Sequence, residues 1–134
     1  MEVKIESKTG SLMGPQERIY RFMSDFSNYR HFIPPDKAAG FQATADECSF
    51  EMDGLGRMGL RMIEKTPSHT IKITGVDSKL DFFFWIQLKE TGANDTKIRL
   101  TFKSDMNVML KTMAEKPIQK FLDSLVEQLG KIPF

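Results

Sequence analysis

The 134-residue sequence has little cysteine and no excess of positive charge. Its single cysteine, Cys48, excludes an internal disulfide and any cysteine-rich metal site, which is typical of a reducing compartment. Lysine plus arginine number 19 and aspartate plus glutamate number 18, so the chain lacks the basic surplus that phosphate neutralisation usually requires. We therefore expect no nucleic-acid partner.

Long hydrophobic runs are also missing. Met1 leads directly into the alternating sequence EVKIESK, without an apolar signal core, and no run approaches the roughly 18 apolar residues that span a bilayer. We expect a cytoplasmic protein with no membrane span. The length suits one ordinary domain and no linker or repeat divides it, so we predict a single domain over residues 1–134.

The usual constellations for metals and cofactors are absent as well. Neither of the two histidines has a partner at i+4 or a nearby cysteine pair, so the spacing of metal ligands is missing. Gly54, Gly56 and Gly59 have the G-x-G-x-x-G spacing of a dinucleotide loop, but the next segment, LRMIEKTP, alternates and meets Pro67 instead of forming a crossover helix. We therefore interpret these glycines as a hairpin end and expect neither a metal nor a cofactor.

The pattern that is present begins with a strand and two short helices. EVKIESK alternates apolar and polar residues, which predicts a half-buried strand. In SLMGPQERIYRFMSD the apolar residues recur at helical spacing after Pro15, which suits a first helical turn. FSNYRHFIPPDK is compatible with a second short helix that ends at its two prolines.

Two longer patterns follow. From Phe41 to Phe102 the period is two almost throughout, which predicts an antiparallel meander. From about Asn107 to Lys131 apolar residues recur at spacings of three and four, which predicts an amphipathic helix of roughly 35 Å at 1.5 Å per residue. Pro117 lies inside it, so we expect a kink or a short break there.

The hairpin loops predict the register of the meander, because paired residues must share a face. We predict loops at Asp46–Glu47, Gly54–Gly56, Thr66–His69 and Gly92–Asn94. The resulting inward pairs are Ala45 with Cys48, Ala43 with Phe50, Phe41 with Met52, Met52 with Met58, Phe50 with Leu60, Cys48 with Met62, Met62 with Ile73, Leu60 with Gly75, Phe84 with Phe102, Ile86 with Leu100 and Leu88 with Ile98.

This register places Phe83 and Trp85 on the outer face of the sheet. Two large aromatic side chains there would form an exposed patch of the kind that marks a contact, including a homodimer contact. The alternative is that both rings pack under neighbouring lysine stems. The register also surrounds Cys48 with apolar neighbours, so we predict an inert buried thiol.

The order of elements resembles that of the START-like superfamily (SRPBCC), which includes polyketide cyclases/dehydrases, lipid-transfer domains and the birch-pollen allergen. The resemblance rests on this order together with ERIYRFMSDFSNYRHFIP after the first strand and the closing PIQKFLDSLVEQLGKI. It implies an α+β helix-grip fold, in which a curved antiparallel sheet of about seven strands wraps around a long C-terminal helix, with two short helices after strand one. It also implies an apolar cavity between sheet and helix.

The predicted function is a small binding module that holds an apolar or lipid-like small molecule in this cavity. The alternatives are a cavity closed by its own side chains, a polyketide cyclase/dehydratase-like enzyme with Tyr29 or His31 as acid or base at the mouth, and an interaction domain using the outer sheet face. The candidate ligand-binding residues are Phe50, Met52, Met58, Met62, Ile73, Phe84, Ile86, Leu100, Met109, Met113 and Phe121.

Overall fold

The computed structural model describes residues 1–134 and has an α+β architecture. The strands are β1 (Glu2–Glu6), β2 (Gly10–Met13), β3 (Ala38–Ala43), β4 (Glu47–Met52), β5 (Gly56–Thr66), β6 (Thr70–Val76), β7 (Phe82–Gly92) and β8 (Asp95–Asp105). The helices are α1 (Gln16–Met23), a short 3-10 helix (Phe26–His31) and α2 (Val108–Leu129). The predicted fold class is confirmed, with eight strands where about seven were expected.

All neighbouring strands are antiparallel. Strands β3 to β8 form the predicted six-stranded meander, while β1 and β2 both pair with β8. The additional strand is β2, which lies just ahead of the helix predicted after Pro15, in a stretch for which the sequence pattern predicts no strand. Leu12 explains it, because its side chain is fully buried and its backbone lies opposite Thr96 of β8.

Helix α2 packs its apolar stripe against the inner face of the sheet. The side chain of Asn107 caps its first turn by accepting a hydrogen bond from the Leu110 N–H at 2.8 Å, which satisfies one of the free donors at a helix N-terminus. The helix then runs through Pro117 without a break, so the expected interruption does not occur. Its buried residues are Ala114, Ile118, Phe121, Leu122, Leu125, Val126 and Leu129.

The predicted register is confirmed from β5 to β8. The observed pairs include Met62 with Ile73, Leu60 with Gly75, Phe84 with Phe102, Ile86 with Leu100 and Leu88 with Ile98. The loop between β5 and β6 and the loop between β7 and β8 are each one residue shorter than predicted. An irregularity after Met62 and another after Glu90 compensate for the difference, so every inward side chain keeps its face.

The register of the first two hairpins is shifted by two residues from the prediction. Cys48 lies opposite Ala43 and Leu60, and Phe50 lies opposite Met58. The glycine loop is therefore Asp53–Leu55 rather than Gly54–Gly56, although Gly54 and Gly56 both have the left-handed φ that such a turn requires, at 81° and 79°. Because the shift is even, the inward face of β4 and β5 is unchanged.

Strand β3 departs further from the prediction. A register irregularity between Ala39 and Gln42 includes Gly40, whose φ is 64°. The chain then turns over Thr44–Glu47, where the Thr44 N–H donates to the Glu47 carbonyl at 2.9 Å. As a result Phe41 and Ala43 are only partly buried, although both pack against the core, while Ala45 is exposed and its predicted inward position is wrong.

Candidate functional site

An apolar cavity lies between the sheet and α2. Its volume is about 50 Å³, all thirteen of its lining residues are hydrophobic, and no polar atom faces it. Strands β4, β5, β7 and β8 supply the inward-facing side chains of the period-two pattern, and the 3-10 helix and α2 close the remaining sides. The lining residues are Tyr29, Ile33, Phe50, Met52, Met58, Leu60, Phe82, Phe84, Phe102, Ile118, Phe121, Leu122 and Leu125.

Aromatic rings occupy most of the space between sheet and helix. The rings of Phe50 and Phe121 join β4 to α2, with their centroids 5.6 Å apart. The rings of Phe82 and Phe102 stack at 5.1 Å across β7 and β8. Each pair fills volume that smaller side chains would leave empty, which explains why a stripe of such length encloses so little free space.

The size of the cavity limits what it holds in this conformation. Pockets for small molecules occupy roughly 300–1,000 Å³, and a dry apolar cavity of about 150 Å³ accommodates benzene. The cavity between Phe50 and Phe121 is smaller than either, so the alternative of a cavity closed by its own side chains describes this conformation well. A bound molecule would have to displace lining side chains, of which Met52 and Met58 are the most flexible.

The structure brings together five of the predicted ligand-binding residues. These are Phe50, Met52, Met58, Phe84 and Phe121. Four others are buried in the same core but do not line the cavity, namely Met62, Ile73, Ile86 and Leu100. The lining residues left out of the predicted set include Phe82 and Phe102, whose places on the same period-two stripe were the available signal.

The prediction that Met109 and Met113 line the cavity is wrong. Met109 is 75% exposed and Met113 is 59% exposed, so neither faces the cavity. Ala114 is fully buried instead, because the stripe that packs on the sheet runs through Ala114 and Ile118. Met109 and Met113 lie beside that stripe, about 100° around the helix from the residues that follow them.

The two candidate acid–base residues occupy different places. The hydroxyl of Tyr29 donates to the Met23 carbonyl at 2.8 Å, and burial raises the pKa of Tyr29 well above its usual range, with smaller contributions from Cys48 and Asp25. Its ring lines the cavity but its hydroxyl does not face it. His31 is exposed, with its ring 6.4 Å from that of Phe22, and is not among the lining residues.

Cys48 is a buried free thiol, as predicted. Burial raises its pKa to about 12, so it carries almost no thiolate at neutral pH, and the thiolate is the reactive form. Every buried side-chain nitrogen and oxygen in the protein also has a hydrogen-bond partner.

A charged groove adjoins the cavity. Its volume is about 320 Å³, and Met52 and Phe121 line both spaces. The α2 wall adds Lys116, Pro117 and Lys120, and the remaining lining residues are Asp36, Lys37 and Asp53. The groove thus lies between solvent and the apolar interior, with side chains of both signs around an apolar floor.

The outer face of the sheet carries Phe83 and Trp85, as predicted. Their ring centroids are 6.1 Å apart and Phe83 is 44% exposed. The Lys72 ammonium lies 4.7 Å from the centre of the Phe83 ring, and the Lys103 ammonium lies 5.6 Å from that of Trp85. These distances are those of cation–π contacts, so lysine side chains cover part of this patch.

Three further observations concern membranes, metals and sequence relatives. No helix has both the length and the hydropathy needed to cross a membrane. No group of three or more His, Cys, Asp or Glu side chains is arranged to hold a metal ion. No protein-family model and no curated protein matches the chain by sequence.

Solved structures do share its fold. Norcoclaurine synthase from Thalictrum flavum, solved with dopamine and hydroxybenzaldehyde, is 11% identical with a TM-score of 0.70, and the match covers 95% of this chain and 86% of that one. An aromatase/cyclase from Streptomyces sp. R1128 is 12% identical with a TM-score of 0.69, over 96% and 94% of the two chains. A START superfamily protein from Mycobacterium smegmatis is 16% identical with a TM-score of 0.64, over 96% and 98%. The predicted START-like, helix-grip fold is confirmed.

Proposed function

We propose that this protein is a binding module that takes an apolar small molecule between its sheet and α2. The observation that carries the proposal is the cavity whose thirteen lining residues are all hydrophobic and which shares Met52 and Phe121 with a groove open to solvent. An apolar group that moves from water into such a space gains roughly 25 cal/mol for each Å² that it buries. The fold supports the proposal as an analogy, since one structure of this fold holds two aromatic ligands.

The cavity must expand to admit such a molecule. Met52 and Met58 are unbranched thioether side chains that adopt several rotamers at little cost. Their movement would enlarge the space without disturbing the backbone of β4 or β5. The affinity is then the gain from burying the ligand minus the cost of repacking these side chains, so a variant that is already enlarged should bind more tightly.

Binding of the neutral fluorescent probe N-phenyl-1-naphthylamine tests the proposal. We expect wild-type protein to enhance its fluorescence, and Met58→Ala to bind the probe at least about threefold more tightly because the deleted side chain leaves space in the cavity. Met106→Ala is the matched control. Met106 is as buried as Met58 but does not line the cavity, so its truncation should cost comparable stability without raising affinity.

Two outcomes would contradict the proposed binding function. A wild type and a Met58→Ala variant that both fail to bind the probe would overturn the proposal. An equal rise in affinity in Met58→Ala and Met106→Ala would also count against it, because general loosening rather than the cavity would then explain binding.

The homodimer through Phe83 and Trp85 stays a prediction. Glu2, Asp81 and Asp105 lie on this face together with Lys72 and Lys103, so each copy presents charges of both signs to a second copy. Sedimentation equilibrium tests this contact, with the expectation of a wild-type dimer that Trp85→Ser dissociates. A wild type that is a monomer, as Trp85→Ser is expected to be, would count against the interaction surface.

The geometry does not favour the cyclase or dehydratase alternative. A general acid or base must come within hydrogen-bond reach of the substrate, whereas the Tyr29 hydroxyl is bonded to a backbone carbonyl and His31 lies outside the cavity lining. The binding module is therefore the function that the site supports best.

A further inference from the structure

The groove beside the cavity contains a pair of lysines on one helix. Lys116 and Lys120 are four residues apart on α2, so they lie on the same side of the helix, and both line the groove. Like charges at this spacing destabilise a helix slightly. No carboxylate lies within 4.0 Å of either ammonium group, whereas six other lysines of the protein form such ion pairs.

The facing wall does not neutralise these two charges. Lys37 is paired with Asp36 at 3.4 Å, so this pair contributes little net charge. Asp53 is the one remaining carboxylate of the groove and forms no ion pair. The α2 wall is thus cationic and the floor, formed by Met52, Pro117 and Phe121, is apolar.

We propose that this groove binds the anionic head of an amphipathic molecule whose apolar part lies on the Met52 and Phe121 floor and points toward the cavity. Lys116 and Lys120 would both contact the anion, which removes their mutual repulsion. The volume of about 320 Å³ suits a small molecule. This inference rests on the proposed function and names the chemical class of its ligand.

Three probes with the same eight-carbon chain test it: octanoate, 1-octanol and octyltrimethylammonium, with binding measured by calorimetry at low and high salt. We expect octanoate to bind about tenfold more tightly than 1-octanol at low salt, a ratio that corresponds to about 1.4 kcal/mol. Added salt should reduce this preference, because these charges are exposed to solvent and are screened. Octyltrimethylammonium should bind most weakly.

Variants that remove charges identify the residues responsible for the preference for octanoate. Lys116→Gln/Lys120→Gln should remove the preference for octanoate while leaving the affinity for 1-octanol unchanged. Lys89→Gln/Lys131→Gln is the control, since it removes the same net charge from residues outside the groove. Asp53→Asn should strengthen octanoate binding by removing the carboxylate that faces the anion.

The results distinguish failure of the anionic-head proposal from failure of the proposed binding function. Equal binding of octanoate and 1-octanol, or a preference that survives Lys116→Gln/Lys120→Gln, would overturn the anionic head while leaving an apolar ligand in place. Failure of all the probes to bind would overturn the proposed function and this inference with it.

Discussion

The two halves of α2 differ in how they are held. From Pro117 to Leu129 six side chains are buried against the sheet, whereas from Val108 to Lys116 only Ala114 is buried. Three of the most exposed large hydrophobic side chains of the protein, Val108, Met109 and Met113, lie in the first half. Burial of apolar surface is what stabilises most helices in proteins, so the second half anchors the helix.

This difference places the anchored and the loosely held segments on either side of the candidate site. Ile118, Phe121, Leu122 and Leu125 line the cavity from the anchored half. The groove begins at Lys116, where the loosely held half ends. Segments with few buried contacts open at lower free energy than the core, so we infer that the first half of α2 opens without disturbing the cavity wall.

The largest effect is expected from Phe121→Ala. Phe121 is buried and packs on the ring of Phe50, so its truncation should lower the free energy of unfolding by about 3–5 kcal/mol. Met113→Ala should change it by less than about 0.5 kcal/mol, because Met113 is exposed. Urea denaturation measures both values, with an unchanged m-value showing that the unfolding reaction is the same.

A large decrease in the free energy of unfolding of Met113→Ala would contradict the difference between the two halves of α2. It would mean that the first half of α2 is covered in solution by contacts that the isolated chain does not show. A small decrease in the free energy of unfolding of Phe121→Ala would mean that the sheet and the helix move together to fill the space of the missing ring.

A smaller and local effect is expected from Asn107→Ala. This substitution removes the acceptor of the Leu110 N–H bond, a loss typically worth about 1 kcal/mol. If the first half opens on its own, amide hydrogen exchange over residues 108–116 should occur at a lower free energy than global unfolding and should accelerate about fivefold in this variant.

Asn107→Asp is the matched variant. It keeps an acceptor and places a negative charge at the helix N-terminus, which is favourable there, so exchange over residues 108–116 should stay slow. If residues 108–116 instead exchange only at the free energy of global unfolding, the two halves of α2 unfold as one cooperative unit and the proposed difference between them is wrong.

Much of the fold was predictable because its signals are local. Alternation placed Phe84, Ile86 and Leu88 on the inner face, and hairpin arithmetic paired them with the correct residues of β8. The same arithmetic was wrong by two residues between β4 and β5. An even shift preserves the alternation of faces, so the face was correct although the pairs were not.

The candidate site was predictable only in part. The period of two identified Phe50, Met52, Met58 and Phe84 as inward residues of the cavity. On the helix the prediction chose Met113 where Ala114 faces the sheet. A search for helical periodicity gives weight to large apolar side chains such as that of Met113. A small side chain, however, allows the helix backbone to approach the sheet closely. Where a small side chain is required depends on the surface of the sheet, which the sequence of the helix does not contain.

The sequence by itself determined the order of the elements, the inner face of the meander and the amphipathic character of α2, because periods of two and 3.6 residues are properties of neighbouring positions. Only the tertiary structure decided that rings from β4 and α2 reduce the cavity to about 50 Å³ and that Lys116 and Lys120 stand unpaired at its edge. Volume and ion pairing are sums over residues far apart in the chain, and no local period encodes them.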